Sequence, residues 1–274
     1  MNTPQITDRQ ALLRNRRRAE DAALFLLELT ADELHERLIE VNRTFTDVAI
    51  VTGVPDFWAA RYPEATIVPD EDTLALTPAS CDLVLHCMSL HWANDPVGQL
   101  VQCRHALRPD GLVIATLLGG QTLQELRASL AEAEVAVTGG LSPRIAPMGE
   151  IRDLGALLQR AGFALPVADS NPLTASYANA FHLMHDLRKM GEGNALSDRL
   201  RHFTRRNVLT EAAAIYAQNF GNADGRIDAT FEVITLTGWA PDDSQQKPLR
   251  PGSAAARLAD ALGTTEVPLD KSKS

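Results

Sequence analysis

Four short apolar runs constrain this chain more than any other feature: VAIVTG (48–53), ATIVPD (65–70), CDLVLHCMSL (81–90) and GLVIATLLGG (111–120). None alternates strictly between apolar and polar residues, and helix-compatible or turn segments separate them. Strands buried on both faces read this way, and parallel strands joined by crossover helices are the usual source. The pattern predicts an α/β fold with a doubly wound, mostly parallel sheet.

The remaining sequence fits around that sheet. Residues 9–43 carry Leu24, Leu27, Leu34, Leu38 and Val41 at helical spacing, with Thr30 before Ala31-Asp32-Glu33 as a helix cap, which predicts two helices. Asp95-Pro96 opens another helix, closed by Arg108-Pro109-Asp110-Gly111 as a turn. Beyond Gly120 the periodicity becomes helical over 121–137, 150–161, 178–190 and 197–219, with a short extended piece at Leu165–Val167. A last strand pair is expected within Ile227–Trp239, after the turn Asn222-Ala223-Asp224-Gly225. The expected organisation is a pair of helices at 1–44 packed on the core, a main domain at 45–240 with a helical insertion at about 121–219, and a polar, loosely ordered tail at 241–274 with a helical patch at Ala254–Leu262.

Composition narrows the function. The 274 residues hold 45% hydrophobic residues, enough for one sizeable core. Lys and Arg total 26 against 35 Asp and Glu, a net charge of −9 that argues against sequence-independent nucleic-acid binding. Arg14-Asn15-Arg16-Arg17-Arg18 runs against that balance and reads either as a dock for an acidic partner or as a solvated helix face. Three cysteines, Cys81, Cys87 and Cys103, form no CxxC pair, so neither a disulfide framework nor a thiolate zinc site is indicated and a reducing cytoplasm fits. The sequence shows no signal-peptide layout and no apolar run of membrane-spanning length. No metal site is expected: His86 and Cys87 point to opposite faces of a strand, and His182 and His185 lack a partner acid.

The run CDLVLHCMSLHWANDP, followed by LRPDGLVIATLLGG, resembles the fourth and fifth strands of class I S-adenosylmethionine-dependent methyltransferases. GGQTLQELRASLAEAE, GGLSPRIAP, DLGALLQRAGF, FHLMHDLRKMGEGNAL and DGRIDATFEVITLTGW are similar to the mitochondrial respiratory complex I assembly factor 5 family and its bacterial relatives, over about residues 8–252. The resemblance implies a Rossmann-like methyltransferase fold and S-adenosylmethionine as the cofactor. It further implies a protein partner or substrate, a complex I subunit whose arginine the mitochondrial member is associated with hydroxylating.

Against that pattern the stretch TDVAIVTGVPDFW departs. The class places an acid at the end of its first strand, then a glycine-rich turn that lets backbone approach the methionine part of the cofactor. With Phe45 as the register mark, Ile50 stands at the acid position, Thr52 at the first glycine and Asp56 at the last, leaving Gly53 alone. Only residues 54–66 separate Gly53 from Ile67, room for one short crossover helix and not for two crossovers with a strand between them. One strand-helix unit is therefore expected to be missing, together with the ribose-binding acid that ends the class's second strand.

The expected cofactor wall is what remains: Gly53, Asp70, Glu71, His86 and Leu90, with Asp70-Glu71 reading either as the acids near the adenine edge or as a solvated loop. The expected substrate side is His91, Trp92, Gly120, Gln121, Ser142 and Arg144, at strand ends and in a Gly/Pro-rich loop. His91-Trp92 serves equally as an aromatic cover, and Thr122 as a helix cap. Relatives commonly carry an acid at Gln121, and an amide cannot accept a proton at neutral pH. No catalytic residue is assigned. The sequence thus predicts a divergent family member with weakened or lost S-adenosylmethionine binding that acts on or with a protein partner; the alternative is an active methyltransferase, or arginine-modifying enzyme, with an atypical cofactor loop.

Overall fold

The computed structural model describes residues 5–245 and 263–264, so the patch at 254–262 lies outside the described residues. The chain forms two compact units, Met1–Pro241 and Asp242–Ser274. In the first, the helices are α1 (Arg9–Arg16), α2 (Phe25–Val41), α3 (Pro55–Arg61), α4 (Pro96–Ala106), α5 (Gln124–Thr138), α6 (Ile151–Arg160), α7 (Ala180–Lys189) and α8 (Arg206–Phe220). The strands are β1 (Val48–Thr52), β2 (Thr66–Pro69), β3 (Cys81–Cys87), β4 (Leu107–Leu118), β5 (Ala164–Tyr177) and β6 (Ile227–Trp239).

They build one six-stranded sheet in the order β2-β1-β3-β4-β6-β5. The four apolar runs are its parallel part: Ile50 of β1 lies opposite Ile67 of β2 and Leu85 of β3, and Leu85 opposite Ile114 of β4. β6 then runs antiparallel to β4, and β5 antiparallel to β6. This is the mixed, doubly wound α/β architecture of the Rossmann-like methyltransferase class. The expected shortfall of one strand-helix unit is visible: α3 is the single crossover after β1, and β2 pairs directly with β1.

Alternation along each strand divides the core between the two faces. Ile50, Leu83, Leu85, Cys87, Leu112 and Ile114 face Ala31 and Leu34 of α2 and Trp58 of α3. Ala49, Val51, Val84, Val113, Ala115 and Leu117 face Leu100 and Cys103 of α4 and Leu154 and Leu158 of α6. A further core joins α5, α7 and α8 to Leu118, Phe231 and Val233, so the insertion sits over the β4–β6 side of the sheet.

Several elements depart from the sequence reading. Thr30 is no cap: α2 starts at Phe25, and Thr30 Oγ1 donates to the Leu26 carbonyl one turn back (2.7 Å). Residues 197–205 lie outside α8, which begins at Arg206. Arg108–Gly111 is absorbed into the start of β4, with Asp110 at φ +60° and the β3–β4 register shifting nearby. Ile227–Trp239 is one strand, not a pair, and its edge partner β5 grows from the three extended residues expected to fourteen. A sequence rich in small and polar residues, broken by Pro166 and Pro172, hides β5; prolines are tolerated because it is an edge strand. α2 lies on a sheet face, and edge strand β2 is limited to four residues ending at Pro69.

Candidate functional site

Ligands in open α/β sheets bind outside the carboxyl ends of the strands. Here α1 lies across that end. Asp8 caps it, accepting from the Ala11 N–H (3.0 Å), and the same carboxylate takes Arg199 (2.9 Å) and Arg201 (3.0 Å). Asn15 Nδ2 donates to the Gly193 carbonyl (2.8 Å), and Leu12 packs with Trp92, Ala195 and Leu196. Residues 190–201 thus strap α1 over the sheet.

The strap aims two arginines inward. Arg9 and Arg16, seven residues apart and so on one helix face, both bind Asp70 Oδ1, at 2.7 and 2.8 Å. Asp70 is 3% exposed and the Arg16 side chain 8%, so this is a buried cluster and not a surface pair. Burial alone would raise the Asp70 pKa; the Arg16 charge and the hydrogen bonds from Arg9 and Arg16 outweigh it and hold the carboxyl below its ordinary range. The second oxygen, Oδ2, is buried without a partner among the described residues.

Gly53 completes the contact. A Cβ built on it would land inside the Arg16 guanidinium, so glycine here leaves room for an arginine. The cavity between Gly53, Arg16, Cys87, Met88 and Glu192 measures about 30 Å³, space for one or two water molecules. A ligand the size of S-adenosylmethionine needs several hundred. The backbone donors are also spent: the Val54 N–H is taken by Thr52 Oγ1 (3.1 Å), Pro55 has none, and Asp56 sits in the first turn of α3. As folded, these residues do not fit the cofactor.

The other expected cofactor residues disperse. Asp70 directly follows β2, the strand beside β1, where the resemblance places the ribose-binding acid; the sequence reading had given it to the adenine edge or a solvated loop, and the ribose acid to the missing unit. Glu71 is exposed, and its carbonyl accepts from Gln99 Nε2 (2.9 Å). His86 is fully buried beneath α4, its Nε2 against Gln99 Oε1 (2.9 Å), with a pKa lowered by burial. Leu90 packs in the α4-side core. His86 and Leu90 therefore do not join Gly53 in a pocket floor; Cys87 and Met88 do. Strand alternation explains the swap, since His86 and Cys87 face opposite ways.

The substrate-side residues converge better. His91 and Trp92 both reach Glu192: Trp92 Nε1 donates to Oε2 at 2.7 Å, and His91 Nε2 lies 3.4 Å from it. The Leu118 N–H points to His91 Nδ1 (3.5 Å). Glu192 borders both the closed space at Gly53 and a larger cavity of about 440 Å³. Leu26, Leu118, Leu126, Met148, Met184 and Phe231 line that larger space, with Trp92, Arg144, Arg18 and Arg188.

Gly120, Gln121 and Ser142 do not line it. The Gly120 N–H donates to the Gly149 carbonyl (3.0 Å), and the Gln121 N–H to Glu232 Oε2 (2.9 Å). Glu232 of β6 thus brings a buried carboxylate to a place where the sequence showed only the Gln121 amide. Thr122 is not a cap, since its hydroxyl exchanges hydrogen bonds with the Glu232 backbone and Leu123 precedes α5. Ser142 and Arg144 both bind the buried Glu134, Arg144 at 2.6 and 3.0 Å, and the Arg144 guanidinium holds that carboxyl at about 2. This clamp orders the 139–149 loop at the cavity wall.

Arg9 and Glu192 escaped the sequence reading, and Arg16 and Arg18 entered it only as members of the basic run 14–18. The seven-residue spacing of Arg9 and Arg16 was the available signal; the basic run around Arg16 drew attention to solvent instead. Among the described residues no group of three or more His, Cys, Asp or Glu could hold a metal, and no helix is long and apolar enough to cross a membrane.

Several known proteins are similar to this chain. A methyltransferase domain family (Methyltransf_11) matches residues 28–115. Arginine-hydroxylase NDUFAF5, mitochondrial, from Danio rerio is 41% identical over 84% of this chain and 71% of its own. A malonyl-[acyl-carrier protein] O-methyltransferase from Xylella fastidiosa (strain M23) is 35% identical over 65% of this chain and 58% of its own. A solved phosphoethanolamine N-methyltransferase 2 from Haemonchus contortus, in complex with S-adenosyl-L-methionine, overlays with a TM-score of 0.39 at 12% identity, over 73% of this chain and 50% of that one. The chain belongs to the family of arginine-hydroxylase NDUFAF5, on the methyltransferase fold.

Proposed function

We propose that this protein is a divergent member of its family in which S-adenosylmethionine binding is weakened or lost, and that it works on or with a protein partner through the open crevice beside Trp92. The observation that carries this reading is the Arg16 guanidinium, set against Gly53 and ion-paired to Asp70, which leaves a space of only about 30 Å³ beside Gly53. The acid best placed for a sugar is already neutralised by two arginines. The partner is a protein of the respiratory complex I kind, as the family resemblance implies, met in a reducing compartment such as the cytoplasm.

A second reading follows from the names of the relatives, one an arginine-hydroxylase and one an O-methyltransferase. On it, α1 swings away, Arg16 leaves Asp70, and the freed carboxylate meets a cofactor. Calorimetric titration with S-adenosylmethionine separates the two. The first expects no saturable heat at millimolar ligand, with the full chain and with Arg16→Ala alike. Micromolar binding by the full chain overturns it; binding by Arg16→Ala alone establishes α1 as the obstacle.

A further inference from the structure

The 440 Å³ space is a crevice that opens to solvent beside Arg18 and Arg188 and runs inward along an apolar side. Leucines and methionines of α2, β4, α5 and α7 and Phe231 of β6 form its apolar side, and Asn15, Glu192, Asn194 and Thr204 form part of its polar side. Burying an alkyl chain against that apolar side is favourable. At ~30 Å³ for each water-sized group, the crevice has room for roughly fifteen such groups, an alkyl chain and not a single side chain.

Its charges sort into used and unused. Arg144 is neutralised by Glu134, and Glu192 is engaged by Trp92 and His91. Arg18 and Arg188 are different: both are exposed, both line the cavity, and neither side chain makes a hydrogen bond or ion pair among the described residues. The Glu20 N–H donates to the Lys189 carbonyl (2.8 Å), which brings the segments carrying the two arginines side by side. In a chain of net charge −9, two unpaired guanidiniums beside an apolar hollow form a local cationic patch suited to one anion. The guanidinium fork matches a carboxylate in bidentate fashion.

We infer that the crevice binds a single-chain amphipathic carboxylate, its alkyl body among Leu126, Met184 and Phe231 and its head between Arg18 and Arg188. This rests on the crevice being the protein's open site and not on the loss of cofactor binding, so the two ideas are tested by different titrations.

The probe is sodium dodecanoate, titrated calorimetrically into the full chain below its micelle concentration, beside hexanoate and dodecyltrimethylammonium. The expected result is saturable binding of one dodecanoate per chain. Hexanoate, with six fewer methylenes, should bind at least about tenfold more weakly. The cation should not saturate. An Arg18→Ala/Arg188→Ala variant should keep its melting temperature, since both residues are exposed, and lose about tenfold or more in dodecanoate affinity. Leu126→Trp, which fills the cavity, should abolish binding in protein that still melts cooperatively. The inference is overturned if dodecanoate does not bind, if dodecyltrimethylammonium binds as well, or if the double-alanine variant binds unchanged. Saturable uptake of an arginine-containing peptide without uptake of dodecanoate would assign the crevice to Glu192 and overturn it too.

Discussion

Asp70 shows how one side chain can be present and still unavailable. A carboxylate at the end of the strand beside β1 is what a sugar-binding site requires, yet here two arginines reach it first. The pair is buried, so removing one partner costs far more than the pair is worth at a surface: Asp70→Asn leaves the Arg16 charge without a counterion and should destabilise by about 3–5 kcal/mol. The pH dependence has a definite sign. The folded pKa of Asp70 is depressed, so its stabilising contribution is present above the unfolded value of about 3.9 and is lost as pH falls through the folded pKa. The stability gap between wild type and Asp70→Asn should therefore stay constant from neutral pH to about 5 and narrow below about 4. Urea unfolding at four pH values measures it. A gap that is small at pH 7, or that widens in acid, would show that the carboxylate is solvated and the cluster open.

At the scale of the element, α2 decides whether one face of the sheet is closed. Leu34 is 1% exposed and packs against the Ile50–Leu85 face, while Ile39, five residues on, is 64% exposed. Leu34→Ala should cost about 2–5 kcal/mol through lost burial and a residual cavity, and Ile39→Ala no more than about 0.5 kcal/mol. Equal effects in thermal melts would place α2 elsewhere. The parallel strands were legible because burial on both faces demands unbroken apolar runs, and a thirteen-residue gap forbids a second crossover. β5 was not, because an edge strand is specified by its partner: β6 supplies the ladder, and the β5 side chains stay largely exposed. The placing of His91 and Trp92 near the strand ends could be read from the apolar pattern, since both lie in the short turn soon after β3. The plug at Gly53 could not, since it depends on α1 lying across the sheet, a contact about forty residues distant in sequence.

For the whole molecule, the question is whether the layers on the two faces open together. Three thiols sample both: Cys87 lies in the α2-side core, Cys81 and Cys103 in the α4-side core. All three are buried, and burial pushes the Cys87 thiol up and that of Cys103 to about 12. The thiolate is the reactive species, so attack by an aromatic disulfide at pH 8 has to wait for an opening that lets water in. The sheet is shared, with Ile50 and Val51 of β1 facing opposite layers from adjacent positions, so one layer cannot leave without uncovering strands that the other needs. Opening should then be global. The three cysteines should label at one common rate that rises in parallel with added urea, and mass spectrometry of the labelled peptides should show no partly modified species accumulating in sequence order. A fast Cys81 or Cys103 with a urea dependence shallower than that of Cys87 would mean that α4 and α6 detach by themselves, and that the molecule is two cooperative layers on a sheet in place of one.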